Sequence, residues 1–217
     1  MRPKTLDHVA LWVEDRDSIA AYCERRFGMH VIEQTDRFTL VGVDARRGKL
    51  TLFEAEGPRE PGVLKHIALR ASRLDGGERF EEVAPGLVLG AVEHPTDLDF
   101  DLDHVALLTP RPEPTAEAWT RLGFRQVSPG PHGVPRVEVA GAYVEFHPGE
   151  APEVERPLLN HVAVLVDSAA EHRDEAERLG IEVDDWVDAP NTLAVFVFGP
   201  DRVRVEYVEH KPTFSLV

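Results

Sequence analysis

The sequence predicts an α+β fold of tandem β-α-β-β-β modules that pair into cupped mixed-sheet barrels, with the second module truncated. Three observations predict it: a strand motif that occurs four times, a glycine-terminated helical stretch after three of those strands, and a hairpin after each helix. The motif reads LDHVAL at 6–11 and again at 102–107, KHIAL at 65–69 and NHVAVL at 160–165. In each copy, period-two alternation places the histidine and the alanine two residues on along one face, and the intervening apolar residues on the other. The four histidines are His8, His66, His104 and His161.

The helical stretches span 15–27, 115–122 and 168–179, and each ends on a glycine, Gly28, Gly123 or Gly180. Glycine supplies the left-handed conformation that commonly ends a helix. An apolar strand follows each one, at 29–34, 124–127 and 181–186. Hairpins then join 38–43 to 50–54, 134–139 to 142–147 and 192–198 to 203–208, through turns that contain glycine or proline. The second module is shorter, with room for only a short helix over 78–83 and one strand over 86–93. Proline- and glycine-rich stretches at 57–62 and 148–157 read as links within module pairs, and 94–101 as the link between them. Two domains are therefore expected, a degenerate one at 1–98 and one at 99–217 that carries the functional site.

Charge narrows the function classes. With 24 Lys and Arg against 39 Asp and Glu, the net charge is −15. Such a surface repels phosphate backbones and anionic lipid, so neither nucleic acid nor a membrane is an expected partner, and a small neutral or cationic ligand is easier to accommodate. A single cysteine, Cys23, excludes internal disulfides, fits a reducing compartment, and reads as core filler within a helix. The first strand-like run begins by Leu6, which leaves no room for a signal peptide, and no stretch has the apolar length of a membrane helix. A cytoplasmic location is expected.

A histidine on a strand is more often a satisfied polar residue than a ligand, so the motif needs a second chemical signal. The last strand of the fourth module provides one. In VRVEYVEH, Val203, Val205 and Tyr207 share one face, leaving Arg204 and Glu206 on the other. A carboxylate on an inner face needs a partner, and a metal ion is a natural one. Two imidazoles and one carboxylate make a facial triad that suits iron(II) or manganese(II) and leaves positions open, with zinc, nickel and cobalt as other candidates.

The repeat, the histidine-bearing first strands and the terminal glutamate resemble the vicinal oxygen chelate superfamily, which includes glyoxalase I, type I extradiol dioxygenases, methylmalonyl-CoA epimerase and bleomycin-resistance proteins. The resemblance implies that ligands come from first and last strands of paired modules, hence one divalent metal on His104, His161 and Glu206. It places Glu145 at the matching position of the third module, as a fourth ligand or a base, with Tyr143 and His147 on the same strand face as further catalytic candidates. It assigns His8, Glu54 and His66 to the equivalent positions of the amino-terminal pair, where Gly90 falls opposite Glu206 and a structural role is expected.

Three functions follow from the resemblance. Tandem barrels imply an extradiol-type dioxygenase acting on a catechol-like substrate with two adjacent oxygens. The segment FVFGPDRVRVE at 196–206 is similar to the dioxygenase signature, but Phe196 stands where that signature has tyrosine and Arg202 near its glycine. A glyoxalase- or epimerase-like metal-dependent lyase or isomerase is the first alternative. A metal-free binding or resistance protein is the second, with Trp186, Phe146, Phe196 and Phe198 as wall or core residues. Relatives imply a homodimer as a candidate assembly.

Overall fold

The structure, a computed structural model, describes residues 1–150, 152 and 154–217; Ala151 and Glu153, inside the link expected at 148–157, lie outside the described residues. The first module comprises β1 (Thr5–Val13), α1 (Arg16–Phe27), β2 (His30–Gln34), β3 (Phe38–Gly42) and β4 (Lys49–Glu54). The second comprises β5 (Leu64–Ala71), β6 (Arg79–Ala84) and β7 (Leu87–Glu93). The third is β8 (Asp101–Thr109), α2 (Pro112–Trp119), β9 (Arg125–Gln126), β10 (Arg136–Val139) and β11 (Ala142–Pro148). The fourth is β12 (Leu159–Leu165), α3 (Ala169–Arg178), β13 (Val183–Asp188), β14 (Thr192–Phe198) and β15 (Arg204–His210).

Local chemistry explains the helix ends. Asp15 caps α1 by accepting from the Ser18 amide, and Ser168 caps α3 by accepting from the Glu171 amide. Gly28, after α1, takes a φ of 64°, the left-handed turn that lets the chain leave the helix. The second module departs from expectation. Residues 78–83 do not form a helix; β6 is an edge strand antiparallel to β7. The interval between β5 and β7 is too short for a helix and a returning strand, so the segment satisfies its backbone by pairing with its neighbour.

The strands form two sheets, β13-β14-β15-β12-β1-β4-β3-β2 and β6-β7-β5-β8-β11-β10-β9. Module one therefore shares a sheet with module four, and module two with module three. This corrects the division at 1–98 and 99–217. β1 runs antiparallel to β12, and β5 antiparallel to β8. The four first strands have nearly interchangeable sequences, so the motif alone does not choose its partner. The links meet at Glu60, whose amide donates to the Arg156 carbonyl (3.0 Å) and whose carbonyl accepts from the Leu158 amide (2.7 Å). The chain thus leaves one sheet, completes the other, and returns.

The apolar faces of both sheets and the helices share one continuous core that includes Val9, Ile67, Val105, Trp119 and Val162. Cys23 is buried in this core, and burial pushes its thiol up to about 12, which makes it inert. Among the described residues no helix is long and apolar enough to cross a membrane. The opposite faces carry the histidines.

Because each sheet draws strands from both halves of the chain, fragments 1–98 and 99–217 are expected to be unfolded or aggregated when made alone and to regain native circular dichroism when mixed. Two fragments that each gave a dispersed NMR spectrum independently would contradict this pairing.

Candidate metal centre

The histidines owe their orientation to four β-bulges. The strand registers slip at Asp7, Lys65, Asp103 and Asn160, the residue before each motif histidine. A bulge re-aims the side chain at the slip. Three of these residues consequently reach the neighbouring imidazole: Asp7 Oδ1 lies 2.7 Å from His8 Nδ1, Asp103 Oδ1 2.7 Å from His104 Nδ1, and Asn160 Oδ1 2.9 Å from His161 Nδ1. Lys65 has no acceptor to offer.

In the cup of the eight-stranded sheet, His8 Nε2 and His161 Nε2 are 3.0 Å apart. Glu206 Oε2 is 3.1 Å from the first and 2.8 Å from the second. Carboxylate and amide oxygens only accept, so both Nδ1 atoms are donors, and a neutral ring then presents a lone pair at Nε2. Arg204 Nη1 donates to the same Asn160 oxygen (3.5 Å), which agrees with that amide orientation. Three lone-pair atoms therefore face one point. While both rings are neutral they cannot satisfy one another, and Glu206 Oε2 is buried with no hydrogen bond of proper geometry.

A positive charge is what such a point needs, and either a proton on His8 or a metal ion can supply it. Burial alone would lower His8, but Glu206 and Asp7 outweigh it and push the imidazole up to about 9. Burial would raise Glu206, yet His8 and His161 hold it down at about 2. Burial dominates at His161 and keeps it below the usual histidine range. A divalent ion fits the same point: ligand atoms about 2.1 Å from one ion and at right angles are about 3.0 Å apart, close to the three separations found. Asp7 anchors the assembly from behind. Against its burial, Lys49 (2.8 Å), His210 (2.9 Å) and His8 hold its carboxyl well below the ordinary range.

The site departs from the sequence-based ligand set in one member. His161 and Glu206 come together, but their partner is His8 and not His104. His104 sits in the other cup, its Nε2 2.9 Å from His66 Nε2 and 3.9 Å from Glu145 Oε2. Glu145, Tyr143 and His147, expected beside the ion, also belong to that second sheet. His147 Nε2 lies 3.2 Å from Glu145, and Arg136 covers the Tyr143 ring at 4.0 Å. The cause is the module pairing: His104 follows β8 into the sheet of module two. Glu54 is misplaced too, pairing outward with Arg16 at 3.0 Å.

The second cup resembles the first in outline and differs in proton accounting. Burial, with His104, His147 and Lys65 beside it, lowers His66 to about 3, so its ring is neutral. No acceptor commits His66 Nδ1, so its proton can sit on Nε2 and be donated to His104 Nε2. Lys65 donates to His147 Nδ1 (2.8 Å), leaving His147 Nε2 to donate to Glu145. These groups satisfy one another without an ion. Among the described residues, only His8, His161 and Glu206 form a compact potential metal cluster.

Register identifies the fourth corner of each cup. The alanine two residues after each motif histidine pairs with the last strand of its module: Ala163 with Glu206, Ala10 with Thr51, Ala106 with Glu145 and Ala68 with Gly90. The first cup thus has Thr51 where a second glutamate would stand. At Gly90 there is no room for a side chain, since a Cβ would lie 2.3 Å from the Phe80 ring. Phe80 also packs 4.6 Å from His66. Around the first cup, Phe196 lies edge-on to His161 (5.1 Å) and Phe53 at 6.5 Å. A cleft of about 510 Å³ opens beyond them, lined by Trp12, Val63, Asn160, Phe198 and Arg204 among others. Phe146, in contrast, is core, and Trp186 is half-buried beneath Arg173.

Comparison with known proteins agrees with this architecture. Residues 5–80 match the model of the Glyoxalase/Bleomycin resistance protein/Dioxygenase superfamily. The structure is similar to a putative dioxygenase from Bacillus subtilis, with 14% identity, a TM-score of 0.76, and coverage of 98% of this chain and 87% of that one. It is also similar to glyoxalase I from Zea mays, with 15% identity, a TM-score of 0.74, and coverage of 94% and 92%. No curated protein matches the sequence. The resemblance to the vicinal oxygen chelate superfamily and the glyoxalase-like fold therefore stand, while identities this low speak to fold alone.

Two measurements test the geometry. By elemental mass spectrometry, His8→Ala, His161→Ala and Glu206→Ala are each expected to lose stoichiometric divalent metal, with His104→Ala retaining it; loss in His104→Ala alone would place the ion elsewhere. Because an ion must displace the His8 proton, apparent affinity should fall about tenfold for each pH unit below about 9 and level off above it. A pH-independent affinity between neutral pH and that point would refute the assignment of His8 as a ligand.

Proposed function

We propose that the first cup holds one divalent ion on His8, His161 and Glu206 and acts on a small molecule bearing two adjacent oxygens, with extradiol-type cleavage of a catechol-like ring as the reaction. The observation that carries this reading is the coordination count. Thr51 stands at the fourth register position, so the protein offers three strong ligands on one face. Iron(II) or manganese(II) bound there would supply open coordination positions and redox chemistry.

The chain's own residues have definite tasks in such a reaction. Asp7 and Asn160 fix both imidazoles with Nε2 turned inward. Phe196 and Phe53 exclude water from the ligand side. Arg204, over the Phe196 ring at 4.0 Å and tethered by Asp184 at 2.6 Å, places a positive charge on the same strand face as Glu206. Glu145 and His147 take no part, because both belong to the other cup. His132, in an exposed turn, is equally uninvolved.

Anaerobic reconstitution with iron(II), followed by admission of oxygen, is expected to give oxygen uptake and a yellow ring-opened product from a member of a catechol panel. Activity with zinc, nickel or cobalt on a hemithioacetal or thioester, without oxygen uptake, would replace ring cleavage by a lyase or isomerase reaction. Ligand binding with no metal requirement would indicate a binding protein. Thr51→Glu gives a further check: a fourth carboxylate should preserve metal content while lowering oxygen-dependent turnover at least tenfold, since it fills a position that the reaction needs.

A further inference from the structure

The two cups are braced from behind by matching parts, and one part is present on the first cup alone. Asp103 stands before His104 as Asp7 stands before His8, and a histidine from the last strand of the paired module reaches each carboxylate. His94, directly after β7, has Nδ1 3.0 Å from Asp103 Oδ2, and His210, at the end of β15, has Nε2 2.9 Å from Asp7 Oδ2. A basic side chain attends each carboxylate as well, Arg70 at 3.6 Å and Lys49 at 2.8 Å. The difference lies in what covers the outer imidazole. The His94 side chain is 40% exposed, and the Tyr143 ring stands 6.4 Å from it. The His210 side chain is 10% exposed, with Phe214 stacked on its ring, 4.2 Å between centres and 19° from parallel. Phe214 belongs to segment 211–217, which leaves β15 and folds back on the turn between β13 and β14. The Lys211 amide donates to the Asn191 carbonyl (2.9 Å), the Phe214 amide to the Lys211 carbonyl (2.9 Å) and the Ser215 amide to the Asn191 side chain (3.2 Å). Arg46, in the turn between β3 and β4, lies over the Phe214 ring at 5.2 Å. That turn also holds Lys49, whose ammonium donates to the Ala45 carbonyl (2.9 Å). Modules one and four thus close together over the brace of Asp7.

We propose that segment 211–217 is a clasp for the metal cup, with Phe214 as a positioning residue that seats His210 on Asp7 and, through Asp7, fixes the ring of His8. The inference rests on the reading of the first cup as a metal site. Asp7 Oδ2 is buried without a hydrogen bond of proper geometry, so its contact with His210 depends on the imidazole being held in place. The other oxygen, Oδ1, is shared between Lys49 (2.8 Å) and His8 Nδ1 (2.7 Å). Without the stack the His210 ring is free to turn, and water reaches the carboxylate. A carboxylate that drifts from His8 no longer fixes the ring or its Nδ1 proton, and Nε2 is aimed at the ion's position for only part of the time. His161 is held by Asn160 instead, outside this chain of contacts. The clasp therefore governs one ligand of the three.

The test follows the imidazole Nδ1 protons by NMR in the metal-free full-length protein, and zinc affinity by competition with a chelator. In Phe214→Ala the His8 Nδ1 proton should exchange with water at least tenfold faster, while those of His161 and His104 keep the parent rates, and zinc should bind about tenfold more weakly. Phe214→Tyr, which keeps the stack, should restore both values. His210→Ala should reproduce the loss, and adding Phe214→Ala to it should cost nothing further, because the two residues act through one contact. Unchanged exchange at His8, equal acceleration at all three histidines, parent zinc affinity in Phe214→Ala, or additive losses in the double variant would overturn the proposal. If instead the parent protein bound no zinc but exchange at His8 alone still answered to Phe214, the metal-dependent reading would fall and the clasp would stand.

Discussion

Two imidazoles whose Nδ1 hydrogens are already committed face a buried carboxylate, and the organisation of the first cup follows from that constraint. Each commitment is made by the residue directly before the histidine, turned to the ring by a β-bulge. With the outer nitrogens engaged, three acceptors converge within 3.1 Å of one another. Desolvated acceptors need a positive charge among them, which a proton on His8 or a metal ion supplies. Lys49 and His210 brace Asp7 from behind, so the orientation of His8 draws on three strands of the sheet.

The second cup shows what a small chemical difference does to the same geometry. It also has two histidines in contact and a glutamate on the last strand. Lys65 replaces the acceptor before one histidine, which frees that ring to donate to the other, and His147 supplies Glu145 with a further donor. The cluster closes on itself as a hydrogen-bond network. Phe80 then occupies the fourth corner over Gly90. A duplicated scaffold has thereby diverged into one cup whose donor set could hold an ion and one whose groups satisfy each other.

Much of the fold was legible because it is periodic. Alternation along β1, β8 and β12, the glycines after the helices, and the hairpin turns all follow from local chemistry, and the structure contains those elements. The truncated module was visible as a short interval, but its helix was not there, since tertiary pairing of β6 with β7 overrides a weak local preference. Module pairing was hidden. LDHVAL occurs twice and fits either partner, so the choice between His8 and His104 beside His161 depends on which strands meet across the sheet. Glu206 was readable from its strand face. Thr51 was not, because its role depends on the parallel register of β1 with β4, where Lys49 and not Glu54 stands opposite His8.

The most direct test is heteronuclear NMR of the histidine side chains during titration with zinc. One equivalent should move the Nε2 resonances of His8 and His161 together, with their Nδ1 protons retained, and leave His66 and His104 in place. Movement of His104 with His161, and none of His8, would contradict the pairing of modules one and four around the ion.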